Sequence, residues 1–268
     1  MNKDRRTFLK SAALGASAAL CRVDAVAGSN THELASAEKP AGAPNPVRLA
    51  DFANVLQGTN STPSYSRGNT LPIVALPFGM AHWTIQTTSE RGNWFFHPAD
   101  PRIEAIRCTH QLAPWLGDYG HLAILPFSGA PDLSPAGRAS SYRPADLHLT
   151  PYAMQIELRR YSVTMNLAPT ERCAFVEMAF AMPGSAGVCL AIPGTKGSCT
   201  ASGVPGSFVA ASPSNQGGVA KDFATYYGLL SRSCGQILVQ GVFLACDTWP
   251  FPWLCRYGSH TIVLLLLV

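Results

Sequence analysis

Tyr161-Ser162-Val163-Thr164-Met165-Asn166-Leu167, followed a few residues later by Cys173-Ala174-Phe175-Val176-Glu177-Met178-Ala179-Phe180, is the stretch that decides the fold. Ser162, Thr164 and Asn166 stand between Val163, Met165 and Leu167, a period of two that turns every second side chain toward a core. Upstream, Tyr152–Leu158 is a third such run, and Arg159-Arg160 between it and Tyr161 reads as a tight hairpin connection. Working outward, Leu71–Leu76, His121–Pro126 and Val188–Ile192 repeat the theme, each bounded by Gly, Pro, Asn or Asp. Short strands at this spacing, with Gly/Pro punctuation, predict an all-β antiparallel sandwich rather than βαβ units. The one short helical piece expected is Leu49–Val55.

Composition agrees. Of 268 residues, 47% are hydrophobic and only 13% charged, and there are 23 glycines and 21 prolines. That is apolar enough for a large core and too rich in chain-breakers for a helical bundle. The longest apolar run, Ile262–Val268, falls far below the roughly 18 residues of a membrane span. Most of the net charge of +4 sits before Gly28, where Lys3, Arg5, Arg6, Lys10 and Arg22 outweigh Asp4 and Asp24. The remainder is nearly neutral and has no basic stripe interleaved with aromatics, which argues against nucleic acid as a partner.

The segment Met1–Ala27 has a basic start, Asp4-Arg5-Arg6-Thr7-Phe8-Leu9-Lys10, then a weakly apolar stretch Ala12–Leu20, then Ala25-Val26-Ala27. This is the layout of a cleaved secretory signal, and the paired arginines resemble a bacterial twin-arginine signal. The expectation is export to the periplasm or beyond, with a mature chain starting near Gly28. Residues 28–46, rich in Ala, Ser, Pro, Glu and Lys without periodicity, read as a disordered linker. Of eight cysteines, Cys21 leaves with the signal. Seven remain, with no disulfide framework or zinc spacing, so mostly buried free thiols are expected.

Five segments carry a resemblance. They are Leu56-Gln57-Gly58-Thr59 with Gly68–Pro72 and Ala75-Leu76-Pro77-Phe78-Gly79-Met80; Thr109-His110-Gln111-Leu112 with Gly117-Asp118-Tyr119-Gly120; Tyr161-Ser162-Val163; Leu167–Arg172; and Asn215–Tyr227. In this order they resemble the N-terminal part of glycoside hydrolase family 92, whose members are exo-acting, inverting, calcium-dependent α-mannosidases. The resemblance implies a large supersandwich of the galactose-mutarotase type over residues 47–230. It also implies α-mannoside glycans as ligands and, as partner, a helical catalytic domain that supplies the general acid, the general base and the calcium ligands. No cofactor and no metal ligand is expected in this chain itself.

Inverting hydrolysis needs two carboxyl groups roughly 6.5–9.5 Å apart, one protonated and one ionised. The motif loops offer Asp118, with Glu90, Asp100 and Glu104 more distant, and no convincing pair; no catalytic residue is assigned. Sugars are gripped by aromatic faces and planar polar side chains. Gln57, Gly58, Arg67, Trp94, Trp115, Asp118 and Asn215 are therefore the candidate substrate-binding residues, placed by the family's use of these loops at the domain junction. For Trp94 and Trp115 the alternative is covering the sandwich ends; for Asp118, bracing its own turn. Trp83 reads as core, His110 as a hydrogen-bonded structural histidine, Lys221 with Asp222 as an ion pair, and Gly58, Gly79 and Gly217-Gly218 as turns or close approaches.

Past about Leu230 the resemblance ends. Residues 231–268 hold three cysteines and two tryptophans but only Arg232, Asp247 and Arg256 as charges. The abrupt change suggests a frameshifted tail on a truncated mannosidase gene, with a divergent final strand pair as the alternative. Three functions follow for the chain: the inactive N-terminal part of an α-mannosidase, a stand-alone carbohydrate-binding module, or a non-functional truncation product.

Overall fold

The alternation in the deciding stretch becomes three neighbouring strands of one sheet. In the computed structural model, β7 (Ala153–Leu158), β8 (Val163–Pro169) and β9 (Cys173–Phe180) alternate strictly between buried and more exposed positions, with Met154, Ile156, Leu158, Val163, Met165, Leu167, Ala174, Val176 and Met178 turned inward. The structure describes residues 49–60, 70–109, 122–130, 132, 134–181, 186–192, 197–202, 207–213, 223–231, 236–239, 242–245 and 260–267, the last three segments and Ser231 by backbone alone. All belong to the compact unit Val47–Val268.

The other strands are β1 (His82–Gln86), β2 (Arg102–Ile103), β3 (Ala105–Thr109), β4 (Leu122–Ser128), β5 (Ser140–Ser141), β6 (Leu147–Thr150), β10 (Ala186–Ala191), β11 (Ser198–Ala201), β12 (Ser207–Ser212), β13 (Thr225–Ser231), β14 (Gln236–Val239), β15 (Val242–Ala245) and β16 (His260–Leu267). Two large sheets result. One has eight strands in the order β11-β12-β13-β16-β9-β8-β7-β6; the other has six, β1-β3-β4-β10-β14-β15, and β2 with β5 makes a short ribbon. The expected all-β sandwich is what the chain forms. Pairing among the described strands is antiparallel except between β10 and β14, which run parallel.

The two sheets bury differently. The eight-stranded sheet keeps one solvated face, as antiparallel sheets commonly do. In the six-stranded sheet β1, β4 and β10 are buried on both faces, with Trp83, Ile85, Ile106 and Ile124 fully buried. Trp83 is thus a core residue, as its sequence context indicated. Each such side chain contributes about 1.5–3 kcal/mol by leaving water.

The hairpin between β7 and β8 spans Arg159–Ser162, longer than the Arg-Arg pair alone. Tyr161 N–H donates to the Leu158 carbonyl, and Ser162 takes φ +51°, so β8 begins at Val163 rather than Tyr161. Leu71–Leu76 is not a strand; it makes one isolated bridge, Val74 to Trp83, because Pro72 has no N–H to donate to a ladder. Leu49–Phe52 is a single 3₁₀ turn. Beyond Leu230, β14 and β15 lengthen the six-stranded sheet, and β16 lies between β13 and β9 in the other.

Candidate functional site

Antiparallel order places the β6–β7 turn (Pro151-Tyr152) and the β8–β9 turn (Thr170–Arg172) at the same end of the eight-stranded sheet. The 3₁₀ turn Leu49–Phe52 and the motif segment Ala75–Met80 are tied to this end. Tyr152 Oη donates to Asp51 Oδ1 (2.5 Å), Ala75 N–H to the Pro151 carbonyl (2.9 Å), and Met80 N–H to the Glu171 carbonyl (2.6 Å). Gly79 lies so close to the Glu171 backbone that an added Cβ would meet its carbonyl at 3.4 Å and that of Leu76 at 3.2 Å. The close approach expected of Gly79 is present.

Between Pro77 and Gly79, Phe78 sits at φ +60° with its whole ring in solvent. A bulky residue in the left-handed region is strained, and here it buries nothing in exchange. Leu49, Phe52 and Met80, on the same tied segments, and Leu56 are also exposed. This end of the domain therefore presents large apolar side chains held on ordered turns. Phe78 was not among the sequence candidates, although its setting between Pro and Gly is the same signal that singled out Trp94.

Gln57 and Gly58 form a turn beside this region. Gly58 takes φ +79°, Thr70 Oγ1 donates to the Gln57 carbonyl (3.0 Å), and Thr59 Oγ1 donates to the Leu56 carbonyl (2.8 Å). The turn is clipped from both sides, with the Gln57 side chain exposed.

Trp94, half-buried, lies on the loop after β1, which is cross-braced at its base. Thr87 Oγ1 donates to Asp100 Oδ2 (2.6 Å) and accepts from His97 N–H (3.0 Å), while Arg91 grips both Asp100 oxygens (3.0 and 2.9 Å). Phe95 and Phe96 are buried; they anchor the loop rather than face a ligand. The Arg107 guanidinium stacks 4.7 Å from the Phe95 ring centroid and donates to Gln86 Oε1 (3.1 Å). Gln86 Nε2 in turn donates to Glu104 Oε2 (2.8 Å), and Arg138 Nε to the Glu104 carbonyl (2.9 Å). Desolvation lowers the Arg107 pKa to about 10, with Tyr227 opposing the shift and Arg138 adding to it, so the group stays protonated at neutral pH.

Two of the carboxylates considered for catalysis are thus committed to structure, Asp100 to Arg91 and Glu104 to Gln86. Among the described residues no three His, Cys, Asp or Glu side chains gather as a metal cage would require. Arg67, Trp115, Asp118 and Asn215 lie outside the described residues, as do His110, Gly217-Gly218, Lys221 and Asp222. Of the sequence candidates the structure positions Gln57, Gly58 and Trp94.

The braced loops and clipped turns fall within a known sequence family: the model of the Glycosyl hydrolase family 92 N-terminal domain matches residues 52–226. The chain belongs to this family. Among solved structures, the family 92 inverting mannosidase of Bacteroides thetaiotaomicron VPI-5482 is similar at 27% identity and TM-score 0.66, over 84% of this chain and 30% of that one. A family 92 α-mannosidase from Bacteroides thetaiotaomicron shares the fold at 14% identity and TM-score 0.63, over 84% of this chain and 32% of that one. The chain thus spans about a third of the length of the mannosidases it matches. No curated protein matches it. Among the described residues no helix of this family 92 domain is long and apolar enough to cross a membrane.

Proposed function

We propose that this family 92 domain supplies the substrate-gripping wall of an α-mannoside-cleaving pocket, while the hydrolytic carboxylates and the calcium ligands come from a helical domain outside this sequence. The observation that carries the reading is the 27% identity to an inverting mannosidase, confined to 30% of that enzyme's length. The structure supports it in kind. Gln57 and Trp94 sit on braced loops, while Asp100 and Glu104 are held by Arg91 and Gln86. Leu49, Phe52, Leu56, Phe78 and Met80 form the face that the helical domain covers. Arg67, Trp115, Asp118 and Asn215 complete the proposed wall.

The chain starting at Gly28, assayed on an aryl α-mannoside and on mannobiose with calcium, is expected to give no turnover. It should bind mannobiose weakly, and Trp94→Ala should weaken that binding further. Hydrolysis by the chain unaided overturns the division of labour. Absence of binding at about 10 mM sugar, a few kcal/mol of affinity at most, removes the gripping role.

The basic N-terminal segment adds a second proposal, export by the twin-arginine route to the periplasm or beyond. Fused to a reporter, the segment 1–46 should deliver it across the inner membrane, and the Arg5→Lys, Arg6→Lys double variant should retain it inside. Undiminished export of that variant refutes the route.

A further inference from the structure

The solvated face of the eight-stranded sheet carries a feature that the proposed mannoside wall does not use. Register brings His148 of β6 opposite Gln155 of β7, Gln155 opposite Asn166 of β8, and Asn166 opposite Glu177 of β9. Four planar side chains able to donate or accept hydrogen bonds thus stand in one row across four strands, about 14 Å long at the usual strand spacing. Two positions along each strand, a parallel row reads Thr150, Ala153, Ala168 and Phe175. Its small members leave a depression of about 360 Å³, walled by Phe175, whose surface is 48% exposed. That volume is within the roughly 300–1,000 Å³ of small-molecule sites.

We infer that this depression is a second saccharide-binding groove, separate from the loops of the mannoside wall, that takes a neutral oligosaccharide lying across the strands. Phe175 offers a ring for the apolar face of a pyranose, which matches an aromatic quadrupole, and Ala153 and Ala168 keep the floor low enough for the sugar to reach it. The row His148, Gln155, Asn166 and Glu177 meets the hydroxyls along the sugar's edge. Asn166 Nδ2 already donates to Glu177 Oε2 at 3.2 Å, which fixes the amide and aims its carbonyl away from the carboxylate. Glu177 sets the charge class: a carboxylate in the groove repels acidic sugars and accepts from neutral hydroxyls. A row of roughly 14 Å accommodates roughly two or three linked rings.

The inference does not depend on the proposed function, and the test separates them. The chain starting at Gly28 is titrated with cellotriose and maltotriose, which carry no mannose, using calorimetry and saturation-transfer NMR. At least one probe is expected to bind, and Phe175→Ala, Asn166→Ala and Ala168→Arg, which fills the depression, should each weaken that binding at least about tenfold. All three positions are on the solvated face, and circular dichroism confirms that each variant folds; Ala168→Arg carries the test should Phe175→Ala not. Val209→Ala, exposed on β12 and part of neither the groove nor the mannoside wall, should leave binding to the groove unchanged. No binding of any probe at about 10 mM overturns the inference, as does binding that Trp94→Ala abolishes and the three groove variants spare.

Discussion

Replacing Phe78 by glycine should stabilise the domain, although it deletes the largest side chain on its turn. The ring is fully exposed, so its removal returns no buried area to water. What it relieves is φ +60°, where a side chain costs about 1–2 kcal/mol. Against this, glycine gains about 0.5–1 kcal/mol of entropy in the unfolded chain. The balance is a stabilisation of about 0.5 kcal/mol, a rise of a few tenths of a molar in the urea midpoint at typical slopes. Phe78→Ala, which keeps the strained angle, should be close to neutral. Urea unfolding followed by far-ultraviolet circular dichroism measures both. A loss of more than about 1 kcal/mol in either variant would mean that the ring packs against the domain in solution, and the reasoning that it is held out for another surface would fail. With the proposed helical domain docked, the sign should reverse.

Other expectations are simpler. Asp100→Ala should cost about 1–2 kcal/mol in urea unfolding and perturb tryptophan fluorescence through the Trp94 loop; the Arg91 pair contributes little of this, because the Arg91 side chain is 41% exposed, and the Thr87 bond contributes more. Ile156→Ala, fully buried, should cost about 2–5 kcal/mol by the same measurement. Burial raises the Cys108 thiol well above its ordinary range, so iodoacetamide at mildly alkaline pH should label the partly exposed Cys173 and leave Cys108 untouched until the chain unfolds, as mass spectrometry would show. Asp146 has its pKa lowered, chiefly by the hydrogen bond from Arg143. Its contribution is therefore present above the ordinary aspartate value and lost as the pH falls through the lowered one. The stability gap between the chain and Asp146→Asn should be widest near neutrality and close as the pH falls below the ordinary aspartate range.

Much of the eight-stranded sheet was legible because alternation is a local property. Val163, Met165 and Leu167 point inward wherever β8 is placed, and Cys173–Phe180 is a strand over the residues read from its apolar run. Of the four described cysteines, all unpaired with one another, Cys108 and Cys189 are buried while Cys173 and Cys199 are partly exposed, fewer buried than the spacing led one to expect. Leu71–Leu76 misled because apolar content was read without weighing the N–H that Pro72 lacks. The candidate site was less legible. Phe95 and Phe96 share a loop with Trp94 and have the same composition around them, yet they are core. Phe78, flanked by residues that usually mark a plain turn, is the ring left in water.

What the chain determined by itself is therefore which residue types form strands, which side of each strand faces the core, and, through its ordered motifs, the family to which it belongs. Only the tertiary structure decided which strands are neighbours and in what register. It brings His148, Gln155, Asn166 and Glu177, each from a different strand, into one row, and sets Gly79 against Glu171 from far along the chain. The reason is physical. The direction of a side chain follows from the backbone angles of its own strand, but register and exposure follow from packing between segments remote in sequence, and no local pattern encodes that.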